Sequence, residues 1–498
     1  MTEPCDLSAC DARRLIGRRS LSPVELLESC LMRIGQVNPA VNAFVAMDEP
    51  GVRAAARQAE DAVMRGDDLP LLHGLPIGIK DLDETAGLRT TWGSTTYRDH
   101  VPTHDAGMVA RIRAAGGLVL GKTNTPEWGL GANTRNAVYG ATGNPFDPAK
   151  SCAGSSGGSA VALATNMVPL CTGSDMGGSL RNPAAFCGIV GFRPSPGLVP
   201  SEKCTLGWSP LSVLGPMARN VEDLCLLLAA MASDDSGDPL AYTMHGENIR
   251  GAPGLFSPPP RVDLAKLRVA VSEDFGHAPV ERIVREAFQV RVEACRPMVH
   301  EVAAAHPDCS GADESFAVLR ATSVLSAHLE RYRVRPEECG PNLRTNVEEG
   351  LRYSLEDYAR AHAAQTRIYH SFVSLFQTHD VLITPAITIS PRPWRELYPT
   401  EIDGQPTSNY FHWLALAYYV TLSAHPAVCL PVGLDATGMP FGLQIVGPRG
   451  GDAFVLGVAA ALEEAFSSSP LLQRPVPSLD QLHAAPPISS MDGFLGWG

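Results

Sequence analysis

Along this chain, apolar positions alternate between stripes of helical period and short unbroken runs. Leu26, Leu27, Cys30, Leu31 and Ile34 recur at helix spacing behind Ser22-Pro23-Val24-Glu25, a capping box with Pro at the first helical position. Asn38-Pro39 is expected to end that helix, because a residue before Pro disfavours the helical region. A second helix is expected over 52–64. From His73 the pattern changes. Residues 75–79 and 118–120 read as buried strands. Between them Asp105 is expected to cap a helix that runs through Ile112 and stops at Gly116-Gly117. Asn124-Thr125-Pro126 opens another short helix. Asn220 caps an apolar helix to about Met231. Further strands are expected at 267–272, 381–385, 426–432 and 442–446, with helices at 279–294 and 452–466. Residues 310–378 read as mostly helical. Alternating strand and helix pieces favour an α/β sheet with helices outside.

Two runs break this pattern and carry the candidate chemistry. They are Ala153-Gly154-Ser155-Ser156-Gly157-Gly158-Ser159 and Gly173-Ser174-Asp175-Met176-Gly177-Gly178-Ser179-Leu180-Arg181. Gly permits close backbone approach, and Ser brings hydroxyls that donate, accept or attack. Ala160-Val161-Ala162-Leu163-Ala164, an uncharged helix former, lies between the runs and ties them to a core. Successive N–H groups at Met176, Gly177 and Gly178 can converge on one point, as an oxyanion requires. The first run can also cradle a phosphate at a helix N-terminus. It lacks the Gly-Lys-Ser/Thr ending of a nucleotide loop and the regular phrasing of a dinucleotide fingerprint. Lys80 ends the apolar run 75–79. A Lys buried there must be paired or give up its proton, and a neutral Lys is a general base. No Gly-x-Ser-x-Gly elbow accompanies the 14 His residues, and His73 fits a loop or capping residue better than a base.

Composition narrows the classes. The 498 residues are 45% hydrophobic and 19% charged, an ordinary globular balance. A net charge of −13 speaks against nucleic acid or an anionic membrane as partner. The 12 Cys include no CxxC pair, and no His/Cys set has metal-ligand spacing, so neither metal nor cofactor is expected. Buried free thiols, a polar N-terminus without a signal-peptide core and no long apolar run make a cytoplasmic location the expectation. Residues 233–262, with Pro239, Pro253, Pro258, Pro259 and Pro260, read as a surface excursion.

Together these segments resemble the amidase signature family of serine hydrolases. The second run continues as Asn182-Pro183-Ala184 to Gly188, and Ser155 and Ser179 stand 24 positions apart, as the family has them. Gly74-Leu75-Pro76-Ile77-Gly78-Ile79-Lys80-Asp81 matches the family's lysine strand. Gly121-Lys122-Thr123-Asn124-Thr125-Pro126-Glu127, Gly215-Pro216-Met217-Ala218-Arg219 and Gly438-Met439-Pro440-Phe441-Gly442-Leu443-Gln444 extend the likeness from 22 to 463. Two positions depart from the pattern: Ala153 replaces a Gly, and Met176 stands where Thr or Ile is common.

The resemblance implies a single large mixed β-sheet surrounded by helices. Helices fill 1–70, the signature core 71–232 and the rest of one domain 263–498. It also implies a triad of Ser179 as nucleophile, Ser155 as bridging serine held by a cis peptide bond, and Lys80 as base. Asp175 and Arg181 are then loop-holding residues. The implied activity is cofactor-free hydrolysis of a small acyl C–N substrate: carboxamide, anilide, hydrazide or carbamate. Trp128, Gly129 and Leu130 border the acyl site. Leu206, Trp208 and Trp394 are either further apolar walls or ordinary core. The family also includes an amidotransferase subunit that acts on charged tRNA with partner proteins. A non-catalytic phosphate-binding module is the remote alternative. A homodimer is the oligomeric state considered.

Overall fold

A computed structural model of the chain describes residues 3–241 and 253–495. Eleven strands form one mixed sheet: β1 (Phe44–Met47), β2 (Pro76–Lys80), β3 (Leu118–Thr123), β4 (Leu170–Asp175), β5 (Val190–Arg193), β6 (Val213–Ala218), β7 (Arg268–Val271), β8 (Glu301–Ala304), β9 (Val381–Pro385), β10 (Ala427–Leu434) and β11 (Pro440–Val446). Their spatial order is β1-β3-β2-β4-β6-β5-β10-β11-β9-β7-β8. β3, β2 and β4 run parallel, as do β9, β7 and β8, and the remaining pairings are antiparallel. The mixed sheet and surrounding helices are those the sequence leads one to expect.

The sheet is covered by two kinds of helix. Gly157–Ala164, Arg181–Cys187 and Ala415–Ser423 are buried along their whole length and carry almost no charge, as helices inside a core must. The outer helices are amphipathic. Glu49–Arg65 buries only Val52, Ala56, Ala59 and Val63. One apolar cluster runs from Cys5 to Leu482 and contains nearly all of this surface.

Three local expectations need correction. The helix expected behind Ser22 is Pro23–Val41 and continues through Pro39. A Pro in a last turn removes a single backbone hydrogen bond. The Asn38 side chain ties down the segment just beyond the helix, accepting from the N–H groups of Ala43 and Phe44 at 2.8 and 2.9 Å. Asp105 does not cap its helix, which starts at Gly107. It accepts from Ala86 N instead (2.7 Å) and pairs with Arg113, while Glu202 takes the Gly107 N–H (2.7 Å). The expected excursion 233–262 is only partly superficial: Ser233 and Phe256 are buried, and 242–252 lie outside the described residues. All twelve Cys are unpaired, and only Cys10 and Cys204 have appreciable exposure.

Candidate active site

The parallel strands β2 and β4 are neighbours, so their C-terminal ends reach the same sheet edge, the edge where open α/β sheets place ligands. Lys80 ends β2 and is fully buried. Its backbone N–H donates to Thr172 Oγ1 of β4 (3.1 Å), and its Nζ to Ser174 Oγ (2.9 Å). Thr172 and Ser174 are two apart on one strand, so they share a face. From the other side Nζ donates to Ser155 Oγ at 2.7 Å and Ser156 Oγ at 2.9 Å. Three hydroxyls therefore surround the amine. Burial pushes Lys80 down from 10.5 to about 7, against the upward pull of Asp83 and Asp175.

The peptide bond between Gly154 and Ser155 is cis. The segment then enters the buried helix Gly157–Ala164, and Ser156 N donates to Ser179 O (3.3 Å), which joins the two Gly/Ser segments directly. Ala153 adopts φ +56, a left-handed conformation that favours glycine. That explains why a Gly is usual there.

The second Gly/Ser segment is not one loop. Its first residues belong to β4, residues 176–180 form the turn, and Arg181–Cys187 is a helix. Gly178 has φ +99, and a Cβ there would lie 2.5 Å from both Ala417 Cβ and Asn182 Oδ1. Asp175 organises the turn. Its carboxylate accepts from Gly178 N (3.0 Å) and Leu180 N (3.2 Å) and pairs with Arg181 (2.8 Å) and Arg193 (3.2 Å), all fully buried. Burial alone would raise the Asp175 carboxyl. The two guanidinium groups outweigh it and hold the carboxyl well below the usual range. Arg181 also reaches Ala417 O (2.9 Å) and Gln444 Oε1. The expected loop-holding role of Asp175 and Arg181 fits this geometry. Arg193, the second partner, carries no local signal in the sequence.

Ser179 is half-buried, and its hydroxyl makes no hydrogen bond with any described residue. Of the three expected oxyanion donors, Gly178 N–H is already engaged by Asp175. The N–H groups of Met176, Gly177 and Ser179 have no partner among the described residues.

Ser155, Ser174 and Ser179 line one cavity of about 130 Å³. Trp128, Gly129 and Leu130 also line it, with Leu82, Met176, Phe316, Arg320, Tyr410, Phe411 and Leu414. Trp128 is held by a 5.4 Å stack on Trp92 and by Arg331, 4.1 Å from its ring centroid. Trp208 and Trp394 are not walls. Trp208 is 80% exposed and lies with Leu206 on a separate groove beside Tyr358, because its turn-rich segment carries it away from the sheet. Trp394 is buried against Ala141 and Ile488. His73 Nε2 bonds Ala59 O (2.9 Å) and forms no part of the site. Among the described residues, no group of three His, Cys, Asp or Glu could hold a metal, and no helix is long and apolar enough to cross a membrane.

Comparison with known proteins places this geometry. The Amidase family model matches residues 25–456. The chain is 33% identical to an acylamidase of Rhodococcus erythropolis over 92% of its length and 95% of that protein's. It is 35% identical to a glutamyl-tRNA(Gln) amidotransferase subunit of Thermus thermophilus over 93% and 98%. A bacterial aryl acylamidase of the amidase signature enzymes superposes with a TM-score of 0.83 at 25% identity, covering 96% of this chain and 98% of that one. The chain therefore belongs to the amidase signature family, enzymes that hydrolyse amide carbon–nitrogen bonds.

Proposed function

We propose that this protein is a free-standing acylamidase that cleaves small amides and anilides through an acyl-enzyme on Ser179. One observation carries the reading: Lys80 Nζ lies 2.7 Å from Ser155 Oγ, and Ser155 and Ser179 line one small cavity.

A neutral amine has two N–H groups and one lone pair, and three hydroxyls suit it: two accept while Ser155 donates. Ser179 Oγ attacks the carbonyl carbon, its proton passes to Ser155 Oγ, and the Ser155 proton passes to Nζ. The carbonyl oxygen gains the charge and is met by the unpartnered N–H groups of Met176, Gly177 and Ser179. The proton returns by the same path to the amide nitrogen, the C–N bond breaks, and the amine leaves. Water then repeats the sequence on the Ser179 ester. The walls of Trp128, Phe316, Phe411 and Leu414 suit an aryl or short apolar group.

The likeness to amidotransferase subunits motivates a second reading, in which the chain works with partner proteins on charged tRNA. The net charge of −13 supports the free-standing reading. The test is turnover of acetanilide by the isolated chain, with a fluorophosphonate label as a second readout. Ser179→Ala should lose the label and lower turnover by about a thousandfold or more. Labelling and turnover near wild type in that variant would refute the assignment.

A further inference from the structure

One buried cation in the reactive cavity makes no direct ion pair with a described carboxylate. Arg320 follows Phe316 by one turn on the helix Ala312–Val334, and both line the cavity that holds Ser179. Arg320 is 6% exposed. Its guanidinium lies 4.9 Å from the ring centroids of both Tyr410 and Phe411. Nη1 donates to Asn346 Oδ1, and Asn346 Nδ2 donates in turn to the Tyr410 hydroxyl. Nε and Nη2 donate to no described residue, and no described carboxylate forms an ion pair with them.

The contrast lies within the same site. Arg181 and Arg193 are fully buried and share the carboxylate of Asp175. Burial lowers Arg320 to about 10 against the upward pull of the more distant Glu349 carboxylate, so it stays a cation at neutral pH. A buried guanidinium with no carboxylate in contact is expensive, and two aromatic faces offset only part of that cost. Asn346 occupies Nη1, which leaves the Nε/Nη2 edge. That edge matches a carboxylate in bidentate geometry.

We propose that Arg320 anchors a carboxylate on the substrate, so that the enzyme prefers anionic amides to neutral ones of the same shape. The proposal rests on the reading of the Ser179 cavity as the amide site. The carboxylate can sit on the acyl part or on the departing amine, and the two are separated by experiment.

Two matched pairs serve as substrates. For the acyl side they are succinanilate and butyranilide, and for the amine side 4-acetamidobenzoate and acetanilide. In wild type the anionic member of at least one pair should have the higher kcat/KM, by about ten- to a hundredfold. The pair that shows the preference identifies the side. Arg320→Met should bring that ratio close to one. Arg320→Lys, which keeps charge but loses the fork, should fall between. Binding of both pairs to Ser179→Ala protein by calorimetry gives the same comparison without turnover or an Arg320 variant. Ratios near one in every arm overturn the proposal while leaving amide hydrolysis intact. Absence of all turnover, with carboxylate-dependent binding retained, would instead overturn the hydrolase reading and leave the anchor standing.

Discussion

The sharpest test of the proton path is the pH dependence of Lys80 and its replacement by Arg. Burial brings Lys80 from 10.5 to about 7. At about 1.4 kcal/mol per pH unit this is roughly 5 kcal/mol by which the site disfavours the ammonium relative to water. About half of Lys80 is then neutral at pH 7, against roughly three in ten thousand for an amine of 10.5. The gain in competent enzyme is more than a thousandfold by about pH 7. The sign follows from which form is penalised. Protonation is disfavoured in the fold, so activity rises with pH through about 7 and is lost below it. kcat/KM for an anilide should fall about tenfold per unit on the acid limb and level off above about pH 8. Stability obeys the same linkage. The unfolded chain binds the proton more tightly, so Lys80 weakens the fold at low pH, and that penalty fades between about 7 and 10.5. Lys80→Arg keeps the charge but cannot release a proton. It should lose about a thousandfold or more in kcat/KM, close to Lys80→Ala. The assay is kcat/KM from about pH 5.5 to about 9.5 for wild type and both variants, with thermal unfolding to confirm folding. An Arg variant within about tenfold of wild type with the same profile would refute the proton path.

Two further outcomes follow from the same geometry. Asp175→Asn leaves Arg181 and Arg193 buried without their shared carboxylate and should cost about 3–5 kcal/mol in urea unfolding at neutral pH, and an unchanged midpoint would count against the ion-pair account. Because the Asp175 carboxyl is depressed in the fold, its contribution is present above the ordinary carboxylate range and is lost as pH falls below about 4. Prolonged chelation should leave activity unchanged, and a loss that added zinc or manganese restores would contradict the metal-free triad.

Much of the candidate site is legible in the sequence because its proposed chemistry is local. Ser155, Ser179 and Lys80 each sit in a short segment whose residue types are unusual, and the resemblance fixed their spacing. Residues that act through strand geometry were missed. The Gly and Ser of 173–175 masked a strand, and with it the two-residue period that aims Thr172 and Ser174 at Lys80. Ser156 stood in a quoted motif, yet nothing local shows that it reaches Nζ. The cavity walls Phe316, Arg320, Tyr410 and Phe411 come from helices and turns far down the chain, and only tertiary packing brings them to Ser179. Trp208 and Trp394 show the converse. Large aromatic residues are core in one place and exposed in another, and residue type alone does not separate the two.

The interior also shows how a fold sorts buried cations by the atoms placed around them. Lys80 and Lys122 lie on the adjacent strands β2 and β3, and both are fully buried. Lys122 Nζ donates to the Asp83 carbonyl oxygen and to Thr85 Oγ1 (3.0 Å); burial lowers its pKa, and the carboxylates of Asp81 and Asp83 pull the other way. A carbonyl oxygen can only accept, so it favours a proton on the nitrogen it faces. Lys80 meets three hydroxyls, and a hydroxyl can turn and donate. Its surroundings serve both protonation states, as the proposed role of a base that gains and loses a proton in each cycle would require. Arg181 and Arg193 cannot lose their protons, and the fold gives them Asp175. Arg320 cannot lose its proton either, and the fold gives it two ring faces, one amide oxygen and only the distant pull of Glu349, so its Nε/Nη2 edge is left for the carboxylate proposed to enter the cavity.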